Sequence, residues 1–115
     1  MINSLIWNIR GISKAPAVHM LQKLIRLHRL ALICVLEPFL FADRLEATQF
    51  RLGIDHAISS KSGKIWVFWS TPFLVEIMID MGQVIYCRVS HALFPEPVFV
   101  SYIYASYFMH VREDL

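Results

Sequence analysis

A strand–helix–strand pattern at the start of the chain sets the strongest limit on how it can fold. Residues 2–8 predict a short strand around the apolar run at residues 5–7, residues 17–30 carry apolar side chains at helical spacing, and residues 31–36 are apolar throughout. A strand without polar positions is typical of a sheet that is covered on both faces. The amphipathic helix would supply one of these covers. The sequence therefore predicts a βαβ unit and an α/β fold.

The second half of the chain has a different pattern. Residues 39–52 predict a weaker helix that ends at Gly53. Short runs typical of strands follow, and short turns between them predict antiparallel hairpins. The best hairpin signal is the turn at residues 80–83. The predicted strands cover residues 54–58, 64–69, 74–80, 84–91 and 98–104.

Composition argues that these strands need more cover than the chain itself supplies. Hydrophobic residues make up 57% of the 115 residues and charged residues only 17%, with a mean hydropathy of +0.51. No run reaches the roughly 18–20 apolar residues of a membrane-spanning helix. The N-terminus does not resemble a signal peptide, because Arg10 interrupts the first apolar run too early. We therefore expect residues 1–115 to be one domain with an incomplete core. The net charge of +2 permits contact with a polyanion without indicating it.

Polar residues end the two strands of the βαβ unit. Asn8 closes the first run and Glu37 the second, so both side chains can point into one cleft. Amide and carboxylate oxygens suit Mg²⁺, which keeps several waters for a phosphate substrate. The alternatives stay open: Asn8 as a turn former, and Glu37 as the partner of Arg10 or of a helix lysine.

Tyr104 ends the last strand on the same face as Tyr102. The two rings are either core aromatics with hydroxyls at the rim, or Tyr104 offers a phenol to a phosphate oxygen. A Ser-His-Asp triad and a zinc site have no support in the sequence, because none of the five histidines has a suitably placed acidic or cysteine neighbour. Cys34 and Cys87 read as buried, reduced thiols.

Short motifs in a fixed order carry a resemblance to a known family. The chain is similar to the endonuclease/exonuclease/phosphatase superfamily, and specifically to the endonuclease domain of plant non-LTR (LINE-type) retrotransposons. The motifs are residues 7–11 (WNIRG), 24–28 (LIRLH), 33–38 (ICVLEP), 63–69 (GKIWVFW) and 103–106 (IYAS).

The resemblance implies a fold, an activity and a set of site residues. The fold would be a DNase I-like four-layer α/β sandwich, two sheets of mixed and antiparallel strands between flanking helices. The activity would be Mg²⁺-dependent hydrolysis of phosphodiester bonds in DNA. Glu37 would bind Mg²⁺, Asn8 would help order the metal and the phosphate, and Tyr104 would contact the scissile phosphate. By this resemblance the partner would be DNA and the location in the cell nuclear, whereas the expectation of no membrane comes from the short apolar runs.

The chain also departs from the family pattern. Its only asparagines are Asn3 and Asn8, so the family's later Asp-x-Asn motif does not occur, and no Asp-His pair follows Tyr104. We therefore expect an N-terminal fragment that resembles about half of the domain and is inactive by itself. The alternative is a non-catalytic assembly module, in which open sheet edges pair with a second copy or a partner chain.

Overall fold

The computed structural model describes residues 3–8, 15–38 and 44–104, and these residues form two β-sheets and two α-helices. The predicted α/β class is confirmed. Helix α2 starts at residue 45, and the preceding part of the predicted second helix, residues 39–43, lies outside the described residues. The elements are β1 Ser4–Asn8, α1 Ala15–His28, β2 Leu32–Leu36, α2 Leu45–Leu52, β3 His56–Ser59, β4 Ile65–Trp69, β5 Leu74–Asp80, β6 Val84–Ser90 and β7 Val98–Ile103.

The first sheet contains four strands in the order β1-β2-β4-β3. β1 and β2 run parallel, as the predicted βαβ unit requires, and β4 runs antiparallel to both β2 and β3. Because β2 and β4 each have a neighbour on both sides, their backbone hydrogen bonds are satisfied within the sheet. All five residues of β4 are buried.

The two helices cover one face of the first sheet. Val18 and Leu21 of α1 and Leu52 of α2 pack against Ile33 and Trp66 of the central strands. Helix α2 ends at Gly53, as predicted. Gly53 adopts the left-handed conformation with φ 70°, and its N–H is donated to the carbonyls of Gln49 and Phe50.

The second sheet is the antiparallel meander β5-β6-β7. Its inner face packs on the uncovered face of the first sheet, so that Ile85 and Cys87 of β6 meet Cys34 of β2 and Val67 of β4 in a second core. The layers of the described chain are therefore helices, first sheet and second sheet. None of the described helices is long and apolar enough to cross a membrane.

The link between β4 and β5 corrects one expectation from the sequence. Successive strand runs predicted hairpins throughout, and β3–β4, β5–β6 and β6–β7 are hairpins. β5, however, joins the other sheet. Strand β4 already has β2 and β3 on its two edges, so no edge of it is left for β5. Residues 70–73 therefore carry the chain from one sheet to the other.

Candidate metal and phosphate site

Asn8, Glu37 and Tyr104 all lie at one end of the two stacked sheets, which we call the site end. At this end β1, β2, β3, β5 and β7 finish and β4 and β6 begin, as the strand registers within each sheet and the hydrogen bonds from Lys61 to Asp80 and from Ser62 to Gly82 between the sheets show. Asn8 pairs with Leu36, the residue before Glu37. The backbone N–H of Glu37 is donated to the carbonyl of Lys64 at 2.9 Å, and that of Tyr104 to the carbonyl of Gln83 at 2.7 Å.

Glu37 has an unusual backbone and an unusual degree of burial. It follows the central strand β2 and is only 3% exposed. Its φ is 54°, in the left-handed region that a residue with a Cβ enters at a cost of about 1–2 kcal/mol. Burying a carboxylate adds a further cost unless a partner compensates it. A buried glutamate with a left-handed backbone at a strand end is a candidate for function.

Asn8 is exposed on the edge strand β1. Trp7 beside it packs into the core under the helices, so alternation along the strand turns Asn8 to the opposite face, the side on which Leu36 packs against the core between the sheets. Its side chain is thereby available at the rim next to the end of β2. Arg10, the salt-bridge partner considered for Glu37, lies outside the described residues.

Tyr104 and Tyr102 lie on the same face of β7, as the alternation predicted. Tyr102 is 2% exposed within the core between the sheets, and burial raises the pKa of its phenol well above the usual range. Tyr104 packs at the edge of that core and is partly exposed. Of the two phenols, Tyr104 is thus the one that solvent and a ligand can reach.

A network of hydrogen bonds joins the two sheets at the site end, and sequence analysis missed it. The Asp80 carboxylate accepts the backbone N–H of Lys61 at 2.8 Å and that of Gly82 at 2.9 Å. The Ser62 hydroxyl donates to the carbonyl of Gly82 at 2.6 Å. Gly82 has φ 84°, and a Cβ there would lie 3.5 Å from that of Ser62. The sequence showed only two turns; that the turns contact each other depends on how the sheets stack.

Two lysines project at the site end. Lys61 and Lys64 are exposed, and the hydrogen bond from the Glu37 N–H to the Lys64 carbonyl makes these two residues neighbours along the backbone. Among the described residues there is no group of three or more histidine, cysteine, aspartate or glutamate side chains that could hold a metal. The described candidate ligands are therefore one carboxylate, Glu37, and one amide, Asn8.

The opposite end of the sheets has a polar cluster of its own. Asp55 accepts the backbone N–H of Thr71 at 2.9 Å, and His56 Nε2 lies 3.0 Å from Thr71 Oγ1. The hydrogen bonds from Thr71 lower the pKa of Asp55. The His56 ring stacks on Trp69 with centroids 5.4 Å apart. Asp55 and His56 therefore both hold the link between the sheets, with no acid–base role evident.

Two cavities also lie away from the candidate residues. One of about 520 Å³ lies between the start of β1 and the end of α1, lined by Asn3, Leu24 and His28. The other, also of about 520 Å³, lies beside Trp69 and Arg88. Neither is lined by Asn8, Glu37 or Tyr104. Both cavities lie toward the end of the sheets opposite Asn8, Glu37 and Tyr104.

Both cysteines are free and buried, as the sequence predicted. They belong to the core between the sheets, Cys34 on β2 and Cys87 on β6. Burial raises the pKa of Cys34 far above its ordinary value and that of Cys87 to about 11. Both shifts disfavour the thiolate, which is the nucleophilic form of cysteine.

Comparison with known proteins leaves the family unassigned. No family model matches the chain, and no curated protein matches its sequence.

Proposed function

We propose that this chain carries the first metal-binding corner of a Mg²⁺-dependent DNA endonuclease of the endonuclease/exonuclease/phosphatase type, similar to those of plant non-LTR retrotransposons. The supporting observation is Glu37, buried and left-handed at the end of a central strand. Asn8 and Tyr104 lie at the same end of the sheets. The ordered sequence motifs support the resemblance to this family. The backbone of Glu37 gives a physical reason to regard this end as functional.

The donor set fits magnesium as part of a larger coordination sphere. Mg²⁺ prefers oxygen ligands and is held in proteins by one or two carboxylates, with waters and substrate phosphates completing its octahedron. Glu37 would provide the carboxylate and Asn8 an amide oxygen. A bound Mg²⁺ would polarise the phosphodiester and stabilise charge that develops on its oxygens.

The remaining residues of the site end would act on the substrate. Tyr104, on the second sheet, would donate its phenolic hydrogen to a phosphate oxygen. Lys61 and Lys64, both exposed, would contact neighbouring phosphates of a DNA strand, an interaction that is independent of sequence and weakens with salt. Asp80 and Ser62 would keep Glu37 and Tyr104 at a fixed separation by joining the sheets.

Strong catalysis by these 115 residues alone is not expected. They contain neither the Asp-x-Asn motif nor an Asp-His pair after Tyr104. In the family these residues orient the water and stabilise the phosphate, which are major sources of rate enhancement. We also propose that the helices and the two sheets are three layers of a four-layer sandwich. A nuclear location is part of the same proposal.

Metal binding by a matched pair of variants tests the proposal. Glu37→Gln keeps the shape of the side chain and removes its charge, whereas Glu46→Gln makes the same change at an exposed position of α2. We expect Glu37→Gln to weaken Mg²⁺ binding, measured by titration calorimetry, by ~10-fold or more, and Glu46→Gln to leave it unchanged. Equal affinities in all three proteins would contradict the proposal.

Plasmid nicking tests the expectation of low activity separately. We expect no Mg²⁺-dependent nicking of supercoiled DNA above the background of a Glu37→Ala preparation. Clear nicking by the wild-type chain that disappears in Glu37→Ala would support the metal site and overturn the expected inactivity.

The assembly module remains a second candidate function. In the described chain, β1 pairs only with β2, and Ile6 on this edge strand is 58% exposed. An edge strand with an apolar side chain is a template for pairing with another chain. A chain that neither self-associates nor gains a partner through β1 would contradict this candidate.

A further inference from the structure

The outward side of the helix layer carries two rows of basic residues, and the first row lies on α1. His19, Lys23 and Arg26 are exposed, whereas Val18 and Leu21 are buried against the first sheet. The three basic residues are four and three positions apart, so they lie along one side of the helix. Helix α1 contains no acidic residue. Its exposed side is therefore basic over a length of about 10 Å.

The second row lies on α2. Arg44, the residue before this helix, and Arg51 are both exposed. They are about two helical turns apart and therefore lie on the same side of α2. Glu46, the only acidic residue of α2, lies about half a turn away from them, where it lines a separate cavity with Phe50 and Asp55. The side of α2 that carries the two arginines is thus free of acidic residues.

A hydrogen bond shows that the two rows are neighbours. The side-chain amide of Gln22 on α1 donates to the backbone carbonyl of Arg51 at the end of α2. Arg26 follows Gln22 by four positions, so it lies on the side of α1 that is turned toward α2. The exposed apolar residues of α1, Met20 and Leu27, lie on the other flank. We define the basic strip as His19, Lys23, Arg26, Arg44 and Arg51.

The chain itself does not neutralise the basic strip. Within the part of the chain that the structure describes, none of its five side chains forms an ion pair. The net charge of the whole chain is only +2, so the total does not reveal that positive charge is concentrated on the helix layer. A local concentration of one sign of charge attracts a partner of the opposite sign. The partner of this strip is therefore a polyanion.

The chemistry of the strip argues against two kinds of polyanion. An amphipathic helix binds a lipid surface by burying its apolar face there, but Val18 and Leu21 of α1 are already buried against the first sheet. Proteins hold single-stranded nucleic acid by stacking its bases on aromatic rings, and the strip contains no phenylalanine, tyrosine or tryptophan. Contact with the phosphates of a duplex needs neither feature.

The spacing of the two rows favours duplex DNA over duplex RNA. The major groove of B-form DNA is about 12 Å wide, and its phosphates run along both sides. Packed helices lie about 8–10 Å apart, and the long lysine and arginine side chains extend the reach of each row. The two rows can therefore contact both sides of this groove. The major groove of A-form RNA is deep and narrow and does not match this separation.

We propose that the basic strip binds the phosphate backbone of double-stranded DNA across a major groove. Lys23 and Arg26 would contact one strand, and Arg44 and Arg51 the other. Contacts of this kind carry no sequence information, so the surface would hold any duplex. The proposal uses no residue of the candidate metal and phosphate site, and it does not depend on the nuclease chemistry.

The salt dependence of DNA binding tests the proposal. Four phosphate contacts predict that log affinity falls with log salt concentration with a slope of about −3.6. Fluorescence anisotropy of a short labelled DNA duplex, with EDTA present to exclude Mg²⁺, would measure it. Arg26→Gln and Arg51→Gln should each make the slope shallower by about 0.9, because each removes one contact. The double variant R26Q/R51Q should bind ~10-fold or more weakly at low salt.

A matched control separates local contacts from the effect of net charge. Arg88 is an exposed arginine on β6 of the second sheet, so Arg88→Gln changes the net charge as Arg26→Gln does. We expect Arg88→Gln to leave the slope and the affinity unchanged. Equal losses in Arg88→Gln and Arg26→Gln would contradict a local binding surface. Circular dichroism and urea unfolding would verify that all variants fold.

Four other results would overturn the proposal. A wild-type chain that does not bind the duplex at low salt has no such surface. An unchanged slope in R26Q/R51Q would mean that DNA is held elsewhere, for example by Lys61 and Lys64 at the site end. Equally tight binding of an RNA duplex of the same length would show that groove width is not recognised. Binding to anionic vesicles that is lost in R26Q/R51Q, without binding to DNA, would give the strip a lipid partner.

Discussion

The two sheets of this molecule use similar residues under different cover. Every residue of β4 in the first sheet is buried, because helices lie on one face and the second sheet on the other. On β7 in the second sheet, exposed and buried positions largely alternate, although the exposed ones include Phe99 and Ile103. An apolar side chain in a strand therefore need not be buried. Cover depends on which elements reach that face.

The largest expected effect is the difference between two phenylalanines, one in each sheet. Phe68 of β4 is fully buried, so Phe68→Ala should reduce the free energy of unfolding by about 3–5 kcal/mol. Phe99→Ala removes a half-exposed ring and its stack on Tyr86, and should cost less than about 1.5 kcal/mol. Urea unfolding followed by tryptophan fluorescence would measure both. Equal costs would mean that the second sheet is covered in solution even where the chain is monomeric.

An intermediate effect is expected where the two sheets are joined. Asp80→Ala removes the acceptor of two backbone N–H groups, from Lys61 and Gly82, and should cost about 1–3 kcal/mol. Glu96→Ala, at an exposed position between β6 and β7, is the control and should change stability by less than about 0.5 kcal/mol. The amides of Lys61 and Gly82 should also exchange hydrogen faster in Asp80→Ala. Unchanged exchange would show that the sheets stay together without this residue.

The smallest expected effect concerns the two thiols in the core between the sheets. Burial raises the pKa of Cys87 from 9.0 to about 11, which lowers its thiolate fraction near pH 8 by about 100-fold. Burial raises the pKa of Cys34 further. Iodoacetamide should therefore label Cys87 before Cys34, and it should label both thiols more slowly in the folded protein than in urea. Labelling at equal rates would contradict the difference between their pKa values.

The same shift gives a sign for the effect of pH on stability. Because the pKa of Cys87 is higher in the folded protein than in the unfolded chain, folding favours the neutral thiol. The contribution of Cys87 to the free energy of unfolding is therefore fully present below pH 9.0, the pKa of the unfolded state. It is lost as the pH rises through about 11. Stability should therefore fall from pH 9 upward, and less steeply in Cys87→Ala. A fall of equal steepness in the two proteins would assign the loss to other groups.

Local patterns predicted the elements better than their arrangement. The run ending at Leu36 and the helical spacing of residues 17–30 were sufficient for the βαβ unit, because both depend on periodicities of the backbone. The change of sheet after β4 was not predictable in this way. The turn at residues 70–73 looks like a hairpin turn, and only the pairing of β4 with β2 excludes one. Such pairing is a property of the whole sheet.

For the candidate site too, the sequence predicted the residues that follow a local pattern and missed those whose role depends on how the sheets stack. Glu37 and Asn8 stood out because polar residues end apolar runs, and Tyr104 because of its alternation with Tyr102. No sequence signal pointed to Asp80 or Ser62, since each lies in an ordinary turn and gains its role from a turn of the other sheet. The left-handed backbone of Glu37 was also unexpected, because glycine or asparagine is the usual residue in that conformation.

Within the described residues, the chain passes from one sheet to the other only through residues 70–73. The sheets are therefore covalently joined at one end, whereas hydrogen bonds of Asp80 and Ser62 join them at the other. Residues 70–73 would act as a hinge between the sheets, and the hydrogen bonds at the other end would hold the sheets together until they break. A fluctuation that parts the sheets without unfolding them must rotate about residues 70–73 and separate the opposite end furthest. Glu37 and Tyr104, on different sheets at that end, would then move apart before the hairpins themselves lose any strand pairing.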